Sequence, residues 1–122
     1  MKSKIKNRIT YDLEDRTYNF AVDCREFVKL LPQSMPNFEY SKQLIRASGS
    51  QAANYIEANE SLGKKDFLMR IRICRKEAKE SKLWLKLSDI QKEENLNKRK
   101  KILIQESIEL TRIFGSILEK CK

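Results

Sequence analysis

A chain of 122 residues carrying a formal charge of +9, with 26 Lys and Arg and no histidine, has room for one compact domain and lacks the commonest general base and metal ligand. Three cysteines, Cys24, Cys74 and Cys121, are odd in number and without paired spacing, so they indicate neither a zinc site nor a disulfide framework. With 3 Gly and 2 Pro the chain favours long helices over strand-rich folds. No apolar run reaches the ~20 residues of a membrane span, and a reduced, cytoplasmic protein with no cofactor and no membrane contact is expected.

Residues 1–12 mix basic and apolar side chains without a lasting period, with Lys2, Lys4, Lys6 and Arg8, and read as a basic N-terminal arm. From Leu13 a heptad-like stripe runs through Thr17, Phe20, Cys24, Phe27 and Leu31, predicting a first helix over 13–31 that Pro32 and Pro36 terminate. A second helix is predicted over 39–60. Tyr40, Leu44, Ala47, Gln51, Tyr55, Ala58 and Leu62 share its core face, and Ile45, Ala52 and Ile56 form a second apolar strip. Gly49 sits among small residues where helix propensity would not place it, so a close helix approach is expected there.

The third helix, predicted over 65–91, carries three chemistries on three faces. Phe67, Ile71, Cys74, Ala78, Ser81 and Leu85 form a core stripe. Ile73, Glu77, Glu80, Trp84 and Leu87 form a half-apolar face, and Arg72, Arg75, Lys79, Lys82 and Lys86 a cationic one. The fourth helix, over 97–120, repeats the core pattern with Leu103, Ser107, Leu110, Phe114, Ile117 and Cys121. Four long helices joined by short loops place sequential helices side by side. The expected fold is therefore all-α, an antiparallel up-and-down four-helix bundle over 13–122.

Residues 64–101 hold 14 Lys and Arg against 6 Asp and Glu, so nearly all the net charge lies there and a polyanionic partner, RNA or DNA, is indicated. The five-cation stripe reads as a phosphate-contacting edge, as a solvated face, or as a seat for an acidic protein; spaced charge without Asn or Gln suits phosphates better than base edges. Arg46, Ser50, Asn54 and Glu57 lie along one polar line of the second helix and are expected to meet Glu77 and Glu80 in a structural network that fixes helix register. A carboxylate active site is the sharper alternative. Di-metal bundles pair Glu with His at i, i+3, and here no His exists to complete one. Ile73, Trp84 and Leu87 would stay wet in a monomer, which makes them candidates for a subunit interface.

The segment QLIRASGSQAANYIEANE resembles the signature Q-x-x-R-x-S-x-S-x-x-x-N-x-x-E-G of the bacterial four-helix-bundle family of ribosomal RNA intervening-sequence proteins, matched by Gln43, Arg46, Ser48, Ser50, Asn54 and Glu57, with Ala58 in place of the Gly. FLMRIRICRKEAKESKLWL resembles a second signature of that family through Phe67, Glu77, Glu80 and Leu85. The resemblance implies a homopentameric barrel of antiparallel bundles. It also implies kinship with accessory variability proteins of diversity-generating retroelements, whose partners are a reverse transcriptase and nucleic acid, and it brings no catalytic residue.

Overall fold

The computed structural model describes residues 8–121 as four helices: α1 (Arg8–Leu30), α2 (Met35–Asn59), α3 (Lys64–Leu87) and α4 (Glu94–Lys120). Each helix packs on its sequence neighbour and α4 closes back on α1, while across the diagonal the rings of Tyr55 on α2 and Phe114 on α4 meet in the core, centroids 6.1 Å apart. That is the up-and-down antiparallel bundle. The basic arm read at residues 1–12 lies outside the described residues through residue 7, and residues 8–12 form the start of α1.

Periodicity dictates the core. Leu13, Phe20, Cys24, Phe27 and Leu31 on α1, Leu44, Ala47, Tyr55 and Ala58 on α2, Ile71, Cys74, Ala78 and Leu85 on α3, and Leu103, Leu110 and Phe114 on α4 are all buried. Among them lie small hydroxyls that satisfy themselves on their own helix: Thr17 donates to the Glu14 carbonyl at 3.1 Å, Ser81 to Glu77 at 2.9 Å and Ser107 to Ile104 at 2.6 Å. Back-bonding of this kind lets a hydroxyl enter a core without an unpaired donor.

Helix ends depart from expectation for identifiable reasons. α2 begins four residues early because Pro36 sits in its first turn, where a missing N–H costs nothing, and Ser34 caps it by accepting the Asn37 N–H at 3.2 Å. α3 stops at Leu87, and α4 starts at Glu94 under a cap in which Glu93 accepts the Leu96 N–H at 2.8 Å. In the turn between them Gln91 and Lys92 both adopt positive φ, 53° and 65°. The close approach expected at Gly49 does not occur within the chain, since a Cβ built there meets nothing within 4 Å.

Asn37, buried in the first turn of α2, ties both connections at one end of the bundle. Its Nδ2 donates to the Pro32 carbonyl at 2.9 Å and the Asp89 carbonyl at 2.8 Å, and its Oδ1 accepts the Asp89 N–H at 2.8 Å. One amide thereby holds the α1–α2 and α3–α4 connections in a fixed relation.

Candidate nucleic-acid interface and the polar seam beside it

The cationic stripe lies where α3 meets α4. Arg72, Arg75, Lys79 and Lys86 are exposed and Lys82 is half-buried, and at 1.5 Å per residue the row is ~21 Å long. Among the described residues none of the five forms an ion pair. Arg75 lies across α4 at Gly115, its Nε 3.5 Å from the point a Cβ would occupy, an ordinary van der Waals distance. Arg72, Arg75, Lys76 and Lys79 share a shallow hollow of about 360 Å³ with Glu80 and Leu118. At the far end of the row Lys100 reaches from α4 to cap α3, donating to the Lys86 carbonyl at 3.1 Å and the Ser88 carbonyl at 2.8 Å. Burial lowers the Lys100 pKa and Asp89 opposes the shift. Cations at a helix C-terminus complement its dipole, whereas the middle of the row has no such compensation.

The other flank of α3 meets α2 through a chain of polar contacts. Arg46 stands 3.7 Å from Glu77 and 3.4 Å from Glu80, the Ser50 hydroxyl donates to Glu77 at 3.2 Å, and Asn54 Nδ2 donates to the Ser50 carbonyl and hydroxyl at 2.9 and 3.1 Å. The structure thus brings together Arg46, Ser50, Asn54, Glu77 and Glu80. Glu57 it leaves out: that side chain is exposed, and only its backbone carbonyl is engaged, by Ser61 at 3.2 Å. Its place is taken by Arg70, whose Nη1 donates to Asn54 Oδ1 at 2.8 Å. Arg70 lies seven residues before Glu77, and extending the half-apolar stripe one step upstream would have found it.

Of the residues read as a subunit interface, Ile73 and Trp84 are half-buried and Leu87 is exposed. The Trp84 ring stacks on Tyr40, centroids 6.1 Å apart, while its Nε1 and one Glu77 oxygen are buried without a hydrogen-bond partner. Across the bundle, Arg16 on α1 joins α4 by donating to Glu106 through Nε at 3.0 Å and Nη2 at 2.6 Å, and to Glu109 at 3.2 Å. The Glu106 hydrogen bond chiefly raises the Arg16 pKa, against desolvation. No stripe in the sequence marks this clamp, since one Arg on a mixed face looks like any surface residue.

Glu77 and Glu80 converge on one guanidinium, and among the described residues no group of three His, Cys, Asp or Glu is placed to hold a metal. Burial pushes the Cys24 thiol up strongly and that of Cys74 up to about 12, which leaves both as poor nucleophiles. No helix among the described residues is long and apolar enough to cross a membrane.

Comparison with curated proteins gives no match. Among solved structures the chain is similar to a crystal structure at 1.70 Å of a protein of unknown function from the S23 ribosomal protein family of Bacteroides thetaiotaomicron VPI-5482. The identity is 29%, the TM-score 0.78, and the match covers 91% of this chain and 98% of the other. The family model of the 23S rRNA-intervening sequence proteins matches residues 11–116. With both signature segments inside that span and the four-helix bundle they call for in place, the chain belongs to the 23S rRNA-intervening sequence protein family.

Proposed function

We propose that the protein works by binding and not by catalysis, as an oligomeric helical bundle that holds nucleic acid, or a nucleoprotein partner such as a reverse transcriptase complex, through the α3 cation row. The observation that carries this reading is that five cations on one edge have no ion-pair partner among the described residues. Phosphate contact asks for spaced charge, and each phosphate neutralised releases counterions. The row has no Asn or Gln to pair with adenine edges, so little sequence selectivity follows.

Self-association supports the same role. Ile45 and Ile56 are about half exposed on the outer side of α2, with open space over Gly49 between them, and Ile73, Trp84 and Leu87 line the α2–α3 flank. A second copy covering these surfaces would remove apolar area from water, and the family resemblance points to a pentamer. A ring would repeat the cation row and turn several modest contacts into tight binding. Light scattering that returns a 14.4 kDa particle at micromolar concentration would overturn the oligomer.

The test of the site is a titration of the wild type and an R75E/K79E variant with mixed-sequence RNA and duplex DNA at several salt concentrations. The variant is expected to bind more weakly and with a flatter salt dependence. Equal affinity and slope would show that the row is a solvated face. The same exposed apolar residues would then favour the second reading, a scaffold for a protein partner without direct nucleic-acid contact.

A further inference from the structure

We infer that the row grips the phosphate backbone of a duplex and discriminates against single strands. The inference rests on the basic-face reading above and deepens it. Proteins that hold single strands combine a cationic track with aromatic side chains on which bases stack, at about 1–3 kcal/mol per base. The α3–α4 seam has the track without the platform. Its α4 wall at the row is Gly115 and Leu118. Among the described residues the exposed rings, Tyr18 and Phe38, lie on α1 and α2, and Trp84 faces α2 and stacks on Tyr40.

The row is also rigid. Steps of three and four residues on one helix fix the cations at intervals of ~4.5 and ~6 Å, and both α2 and α4 pack along α3. A duplex offers phosphates already ordered along a ridge. A single strand must be straightened over the ~21 Å of the row, and without stacking nothing offsets that ordering cost.

The cations lie in the seam where α4 flanks α3, not along an outward crest of α3, so the row meets the outer phosphate ridge and not the floor of a groove about 12 Å wide. The edge therefore rides on the phosphate ridge, a contact open to B-form DNA and A-form RNA alike, and it reads no bases.

The experiment uses the full chain with three fluorescent probes of equal length: duplex RNA, duplex DNA and single-stranded polyuridine, which cannot pair with itself. Anisotropy titrations are run at several salt concentrations with wild type and R75E/K79E. Both duplexes are expected to bind at least about tenfold more tightly than the single strand, the loss of about one stacked base's contribution. The DNA slope of log K against log salt should approach about −4.5 for five contacts per subunit. A single strand bound as tightly as the duplexes, and still weakened in R75E/K79E, would overturn duplex selection while the basic-face reading stands. Failure of all three probes to bind, or binding unchanged in R75E/K79E, would overturn both.

Discussion

Replacing Asn37 with Ala removes three hydrogen bonds at once, to the Pro32 carbonyl and to both backbone groups of Asp89. Each backbone group left without a partner costs about 1–3 kcal/mol if it stays dry. Asn37 is 2% exposed, but Asp89 is an exposed residue, so water recovers part of the loss and the expected total is about 2–4 kcal/mol. For a domain of this size that lowers Tm by roughly 10–15 °C. Urea and thermal melts at one fixed protein concentration measure it, since assembly would otherwise shift the midpoint. An Asn37→Asp comparison separates the donors from the acceptor: the carboxylate still accepts the Asp89 N–H and sits favourably in the first turn of α2, but it cannot donate to either carbonyl. Its second oxygen would instead face the Pro32 and Asp89 carbonyl oxygens in a buried site, so N37D should be at least as destabilised as N37A. A melt of N37A within about 0.5 kcal/mol of wild type would refute the idea that one amide secures this end of the bundle.

Asn54→Ala should cost about 1–3 kcal/mol by leaving the half-buried Arg70 guanidinium without its Asn54 partner, while Ser50 keeps its bond to Glu77, whereas the exposed Glu57→Ala should stay within about 0.5 kcal/mol; paired urea melts decide between them, and a larger loss in E57A would return that residue to the network. Gln91→Gly should stabilise by up to about 1 kcal/mol, because a non-glycine residue at φ 53° pays for left-handed backbone, and an unchanged or lower urea midpoint would show that the turn is not strained. Native alkylation followed by mass spectrometry should modify Cys121 and spare Cys24 and Cys74, which are buried with raised pKa values; labelling of all three before unfolding would contradict the packing.

The core was legible because burial on a helix is periodic: every residue of the stripe from Leu13 to Leu31 is buried. Ends were read less well where one residue type has two meanings. Pro36 stops a helix in mid-run and starts one in its first turn, and only the Ser34 cap two positions earlier distinguishes the cases. The polar seam was read to within one residue, Arg70 standing where Glu57 was expected. Asn37 and Arg16 escaped entirely. Their partners are 52 and 90 residues away in the chain, and pairings at that range leave no local pattern to find.

Of the four helices, α1 is the least firmly seated against α4. Packing between them is the sparsest in the bundle, hollows of about 720 and 550 Å³ open along their seam with Phe20, Phe27 and Leu103 in their walls, and Ile102 on the rim is 68% exposed. Beyond side-chain packing, the Arg16 clamp ties this seam through polar contacts to Glu106 and Glu109. The least costly opening of the molecule is thus a swing of α1 about residues 31–34, and amides of α1 should exchange with deuterium before those of α3. An α1 that has swung free meets an equivalent vacant socket in every other opened copy, so at high concentration copies can close with exchanged helices. Such interlocked dimers would form and resolve slowly, and freezing or concentrating the protein would leave a history-dependent mixture of sizes.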